Sequence, residues 1–128
     1  MTAIITEPYL GPAVKNQDVN QFRNNPLKLQ MIVKEVEQLC LLAVQVFAEN
    51  LVDKGLVVMI WPQYKIGNKI YQLEILPAVL AAGFELINPL AEINFSFKEV
   101  TARKTIIYRR PDQAVGREIV ILKRLSVE

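Results

Sequence analysis

The hydrophobic pattern divides this chain into a polar N-terminal arm, one long apolar helix and a series of strands. In residues 1–24 the apolar side chains follow neither a helical nor a strand period, and Pro8, Gly11 and Pro12 interrupt them. Such a segment is too polar to fold alone and too apolar to be a pure linker. We therefore expect an extended arm that lies on its own domain or on a neighbour, with disorder as the alternative.

A helix is predicted directly after the arm. Asn25 can cap the free N–H groups, and Pro26 at the first helical position loses no hydrogen bond. The pattern continues to Lys54, with Gly55 as the left-handed residue that ends the helix. A helix that packs on one sheet needs an apolar face of only about 100°, and the apolar face of this helix is wider. We therefore expect the sheet to cover one part and the arm or another subunit to cover the rest; the alternative is one deep monomeric core.

Strand signals begin after the helix. The continuous apolar run Leu56–Trp61 is typical of a strand buried on both faces. The pair Gly67–Asn68 predicts a two-residue hairpin turn with glycine at the positive-φ position. The alternating segment Lys69–Leu76 is then the returning strand of this hairpin.

The second half of the chain predicts further strands. In Pro77–Ile87 the alanines favour a helix, but the glycine and the neighbouring strands favour a strand, which we predict. Ala91–Phe97 alternates cleanly, and a slip of phase beyond it indicates a bulge in a strand that ends at Tyr108. Arg117–Leu125 is the last strand. The result is an α+β domain over residues 25–128, with the long N-terminal helix on one face of a mainly antiparallel sheet of about five strands.

Composition limits the chemistry of this chain. Its 128 residues contain no histidine and one cysteine, Cys40, so the side chains most used for proton transfer, metal ligation and nucleophilic attack are nearly missing. We interpret Cys40 as a small core residue. The glycines never cluster as in a phosphate-binding loop, and Glu118 and Lys123 are spaced for opposite strand faces. We therefore expect no enzyme activity, no catalytic residue, no metal site and no cofactor.

The net charge of +2 conceals a gradient from −2 over residues 1–97 to +4 over residues 98–128. One interpretation is exposed strand faces whose cations block edge pairing. The other is a positive surface that faces nucleic acid or an acidic partner. The candidates for such a basic surface are Arg103, Lys104, Arg109, Arg110, Arg117 and Arg124.

Apolar residues of the arm, the helix and one strand end are the candidates for contact with another subunit. Trp61 is included because tryptophan is enriched at interface hot spots, with a core position at the sheet end as its alternative. The candidate interface residues are Tyr9, Leu10, Phe22, Leu41, Leu42 and Trp61.

Neither a membrane segment nor a signal peptide is expected. Spanning a bilayer takes roughly 18–20 consecutive apolar residues, and no run approaches that length. The N-terminus has no basic region followed by a long apolar stretch. These features predict a cytoplasmic protein that is not secreted through a signal peptide.

The order of the elements resembles that of phage tail-terminator and head–tail neck proteins, over about residues 26–125. The resemblance is carried by the capped helix Pro26–Lys54, the segment Leu76–Val79 that enters the middle of the sheet, and the break Asn88–Leu90 before Ala91–Phe97. Such proteins commonly have a second helix between strands, and this sequence departs from them in favouring a strand there.

The resemblance implies a homo-oligomeric ring around a conduit that joins the tail to the connector, with no reaction catalysed. The partners would be copies of this chain and neighbouring assembly proteins, and the basic C-terminal strands would face DNA or an acidic neighbour. The alternative is a small nucleic-acid-binding or regulatory module whose basic C-terminal sheet face contacts phosphates.

Overall fold

The computed structural model describes residues 2–7, 25–88, 101–109 and 115–126, in which a long helix covers a six-stranded sheet. This confirms the α+β class. In chain order the elements are β1 (Ala3–Thr6), α1 (Pro26–Asn50), β2 (Leu56–Ile66), β3 (Lys69–Gln72), α2 (Leu76–Ala81), β4 (Phe84–Leu86), β5 (Ile106–Tyr108) and β6 (Val115–Arg124).

The two long strands β2 and β6 form the centre of the sheet. They are antiparallel, from Leu56 opposite Lys123 to Tyr64 opposite Val115. The short strands β1 and β3 both pair with β2, and β4 and β5 both pair with β6. Only the β1–β2 pair is parallel among the described strands, so the sheet is mainly antiparallel as predicted.

The start of the predicted arm is part of the sheet. Ala3–Thr6 lies in register with Leu56–Met59, and the Leu56 N–H donates to the Thr2 carbonyl at 3.1 Å. The boundary predicted at residue 25 therefore excluded a strand of the domain, because four residues give too short a pattern to reveal their pairing with a strand 53 positions further on. The remainder of the arm, residues 8–24, lies outside the described residues.

Helix α1 begins at Pro26 as predicted, although the Asn25 side chain makes no capping hydrogen bond. The helix ends at Asn50, four residues before Lys54. Gly55 does not take the left-handed conformation; Lys54 does, with φ 65°. Glycine at position 55 serves close approach instead, since a Cβ there would lie 2.9 Å from Leu51 and 3.2 Å from the Thr2 carbonyl oxygen. The predicted helix end was wrong because contacts with β1 and β6 fix the path of the chain where it enters β2.

One narrow side of α1 is buried against the sheet. We call it the inner stripe: Leu29, Val33, Val36, Cys40 and Val44, spaced three or four residues apart. Alternate residues of the two central strands meet it, because side chains on one face of a sheet recur with a period of two. These are Val57, Met59, Trp61, Val120 and Leu122.

The hairpin turn predicted at Gly67 is confirmed, but its returning strand ends at Gln72 and not at Leu76. The strand predicted at Pro77–Ile87 is partly wrong. Gly67 has φ 63°, and Tyr64 lies opposite Tyr71. Within Pro77–Ile87 the structure has α2 and then β4, separated by a turn at Gly83 with φ 102°. Proline at the start of α2 and its alanines form a helical turn, and glycine permits the reversal into β4. Ala91–Phe97 and the bulge lie outside the described residues.

The turn at Gly83 is joined to the end of the sheet by Arg124. Its Nη1 donates to the Gly83 carbonyl at 2.8 Å, and its Nε donates to the Ala48 carbonyl near the end of α1 at 3.1 Å. The guanidinium carbon lies 5.7 Å from the centre of the Phe84 ring. One side chain thus connects the end of α1 and the turn after α2 to β4 and β6.

We expect Gly83→Ala to lower the free energy of unfolding by about 1–3 kcal/mol. The added Cβ would lie 2.1 Å from Arg124 Nη1, and the φ of 102° is strained for alanine. Chemical denaturation measures the loss. Asn68→Ala is the control, since Asn68 is exposed in the hairpin turn and its φ is not positive. Equal losses in the two variants would contradict the role of the Gly83 turn.

Candidate interaction surface

The side of α1 that faces away from the sheet carries large apolar side chains in solvent. We call them the outer stripe: Leu27, Met31, Leu39, Leu42 and Val46. Leu27 and Met31 are 68% and 67% exposed, and Leu42 is 60% exposed. Their positions fall on one side of a helix, opposite the inner stripe. Single exposed apolar residues are ordinary, but five on one helix face form a patch of the kind found at interaction sites.

The candidate interface residues are divided between this surface and the core. Leu42 is in the outer stripe, whereas Leu41 is half-buried and packs against the core. Trp61 has no exposed surface, so it is a core residue and not an interface anchor. It was expected at a strand end, but β2 continues for five residues beyond it. Tyr9, Leu10 and Phe22 lie outside the described residues.

Four residues of the outer stripe were missed by the sequence prediction: Leu27, Met31, Leu39 and Val46. The signal was available, since these positions recur at helical spacing on one side of the predicted helix. What the pattern lacked was a means to decide which of two apolar sides would meet the sheet. The inner stripe contains β-branched residues that pack on the strands, and only the fold shows that the other side stays exposed.

A buried carboxylate, Glu118, organises the opposite end of the sheet. It has no exposed surface and accepts hydrogen bonds from Arg103 Nε at 2.7 Å and from the Thr105 hydroxyl at 2.6 Å. Arg103 Nη2 donates to the second carboxylate oxygen, which makes the pair bidentate. Arg103 Nη1 donates to the Leu73 carbonyl at 2.8 Å, and the guanidinium lies 5.9 Å from the Trp61 ring.

Most of the residues predicted as a basic surface bind acceptors of this chain. Arg103 and Arg124 hold the contacts described above. Arg109 Nη2 donates to the main-chain and side-chain oxygens of Gln63 at 2.9 and 2.8 Å, and burial lowers the pKa of Arg109. Arg117 forms an exposed ion pair with Glu7 at 2.8 Å.

Two candidates of the basic surface remain. Lys104 is exposed and has φ 64°, and Arg110 lies outside the described residues. A phosphate-binding face needs several cations free to point at the ligand. In the described part of the chain Arg103, Arg109 and Arg124 bind groups of their own fold, and Arg117 forms an exposed pair with Glu7. The structure therefore does not gather these guanidinium groups into a free phosphate-binding face.

The chain's thiol is buried and hard to ionise. Cys40 has no exposed surface, and burial raises its pKa from 9.0 to about 11, with a smaller contribution from the Glu37 carboxylate. A nucleophilic or metal-binding cysteine requires the thiolate. Cys40 therefore acts as a small apolar residue of the inner stripe, as the sequence predicts.

Two open grooves lie beside the sheet in the described part of the chain. The larger, of about 600 Å³, is lined by five apolar residues and by the charged residues Glu85, Arg103 and Lys104. The smaller, of about 350 Å³, lies between α1 and β3; there Glu37 accepts the Glu74 N–H at 2.8 Å and Lys69 lies 5.2 Å from the Tyr71 ring. The charged groups of the smaller groove therefore support local structure.

Two further features are absent from the described residues. No group of three or more acidic or cysteine side chains there is arranged to hold a metal ion. No helix in the same ranges is long and apolar enough to cross a membrane.

We expect Glu118→Gln to lower the free energy of unfolding by about 3–5 kcal/mol, because it removes the buried counter-charge of Arg103 and leaves only the exposed Glu74 carboxylate at 3.7 Å. Glu7→Gln is the control; it removes an exposed ion pair with Arg117, worth at most about 1 kcal/mol. Denaturant titration of both variants measures the difference. A loss no larger for Glu118→Gln than for Glu7→Gln would show that the buried pair does not hold the sheet end.

The Cys40 thiol also predicts a dependence of stability on pH. Between pH 9.0 and about 11 the unfolded chain loses the thiol proton while the folded chain keeps it. The free energy of unfolding should therefore fall as the pH rises through this window, by at most about 2 kcal/mol. Cys40→Ala removes this component, so the difference between its pH profile and that of the wild type isolates the thiol. Parallel profiles over the whole window would contradict the prediction.

The chain was compared with protein-family models, with curated proteins and with solved structures. No family model, no curated protein and no solved structure matches it.

Proposed function

We propose that this chain is a non-catalytic structural subunit that assembles with copies of itself and with neighbouring proteins. The outer stripe is the observation that carries the proposal. Full burial of a leucine- or methionine-sized side chain contributes roughly 1.5–3 kcal/mol. The side chains of this stripe are about half to two-thirds exposed, so a partner that covered them would gain a substantial part of that free energy at each position.

The use of the charged groups supports the same proposal. Glu118, Arg103, Arg109 and Arg124 hold the ends of the sheet and the helices in place. Catalysis needs ionisable groups that face a substrate, and these side chains face their own chain. A domain whose charged groups bind its own chain and whose helix exposes a large apolar face is better suited to assembly than to catalysis.

The finer part of the proposal is a ring of the phage tail-terminator or neck type, located in the virion and joining tail and connector around a conduit. It rests on the order of elements, a long helix followed by a mainly antiparallel sheet. Helix α2 supports it, because proteins of that type commonly have a second helix between strands and the sequence alone favoured a strand there.

The alternative of a nucleic-acid-binding or regulatory module has less support. Its phosphate contacts were assigned to arginines that bind Glu118, Gln63 and main-chain carbonyls. Releasing them to bind phosphate would cost the fold its own hydrogen bonds. Strong, salt-dependent retention on heparin or DNA would nevertheless favour this module over the structural subunit.

We expect the purified chain to have a native mass that is a multiple of 14.6 kDa and that rises with concentration. Leu42→Gln should shift the mass toward the monomer, because it places an amide in the outer stripe. Ile70→Gln is the control, since Ile70 is 54% exposed on β3, away from the stripe. Light scattering after size exclusion measures the mass, and electron microscopy shows whether the oligomers are rings.

A chain that remains monomeric at every concentration and binds no companion protein would contradict the proposal. Equal effects of Leu42→Gln and Ile70→Gln would show that the assembly does not use the outer stripe.

A further inference from the structure

The charges at the two ends of the outer stripe are opposite in sign. Lys28 is exposed in the first turn of α1, and Glu49 is exposed in the last turn. That first turn contains no acidic residue and the last turn contains no basic one. Both charged residues lie on the same side of the helix as the outer stripe, because 28, 31, 42, 46 and 49 follow the helical repeat.

This arrangement is unfavourable within a single chain. The N-terminus of a helix carries a partial positive charge and the C-terminus a partial negative one, so acids stabilise the first turn and bases the last. Helix α1 has the reverse: Lys28 adds to the positive end and Glu49 adds to the negative end. A second helix in the opposite direction would bring a compensating charge to each end.

We infer that the outer stripe binds the same stripe of a second copy of this chain, with the two α1 helices antiparallel. The inference rests on the proposed function and names the partner of its surface. A two-fold axis beside Gln38 and Leu39 places Met31 opposite Val46 of the second copy. The same register places Lys28 opposite Glu49 of the second copy, twice per dimer, because the contact is symmetric.

Charge also decides the direction of the pair. In a parallel pair each residue faces its own copy, which would bring Lys28 against Lys28, Glu35 against Glu35 and Glu49 against Glu49. Each of these like-charge contacts opposes association. The antiparallel pair replaces the contacts at both ends with attractive ones and sets each positive helix end beside a negative one. The same register separates the two Glu35 carboxylates, because each lies opposite Leu42 of the second copy and not opposite the other.

The apolar residues supply the affinity and the charges supply the register. Antiparallel helices pack at 8–10 Å through interlocking side chains, and the stripe from Leu27 to Val46 extends about 28 Å along the helix at 1.5 Å per residue. A two-fold contact closes on itself. A ring built from these subunits therefore uses a second surface in addition to the stripe, so the helix pair and the ring can be tested separately.

Charge reversal of the native full-length chain tests the pair. Lys28→Glu and Glu49→Lys should each weaken dimerisation by about tenfold, since each turns two attractive contacts into repulsive ones. The double variant, Lys28→Glu with Glu49→Lys, should restore the affinity. Sedimentation equilibrium at low and high salt measures the dissociation constants, and salt should reduce the differences between the variants. Lys65→Glu, a reversal at an exposed position of β2, is the matched control.

A second measurement separates association from folding. Both single reversals place a charge that suits the helix dipole, so thermal unfolding of the dilute monomer should stay unchanged or improve while dimerisation weakens. Single reversals without effect on an oligomeric wild type, or a double variant that does not recover, would overturn the antiparallel pair and leave the proposed function standing. A wild type that is monomeric and binds no companion protein would overturn both.

Discussion

The antiparallel pairing of β2 with β6 is the constraint on which the other contacts depend. Nine residue pairs join these two strands, and each short strand is attached to one of them. The pairing sets Val57 beside Leu122 and Met59 beside Val120, which builds the apolar surface that the inner stripe of α1 covers. It also sets Trp61 beside Glu118. Without this register the apolar core would not form, Glu118 would not be buried beside Trp61, and α1 would have no apolar surface to pack on.

Three arginines of the described residues, Arg103, Arg109 and Arg124, hold elements of the fold together. Arg103 ties the segment before β5 to Glu118 on β6 and to the carbonyl that follows β3. Arg124 ties the end of β6 to α1 and to the turn after α2. The planar guanidinium suits this task because several N–H donors point in fixed directions and remain charged when partly buried. A basic C-terminal sequence thus has a structural explanation that requires no acidic ligand.

Helix α1 has two apolar sides that differ in their exposure to solvent. The inner stripe is buried by the sheet, and the outer stripe remains exposed. One sheet can cover only one side of a helix, so a helix with apolar residues on both sides carries a surface beyond the needs of its own domain. The reversed charges at its ends add a direction to that surface, which is what an association between specific copies requires.

The sequence by itself determined the features that depend on neighbours along the chain. These are the helix that starts at Pro26, the turn at Gly67 and the inert character of Cys40, because the fixed φ of proline, turn chemistry and helical period are local. Tertiary structure decided the rest. Whether Trp61 is buried, whether Arg103 and Arg124 face inward and whether α2 forms within Pro77–Ile87 all depend on strands distant in sequence. Those partners become neighbours only when β2 and β6 pair, since burial is a property of the assembled sheet and no local pattern encodes it.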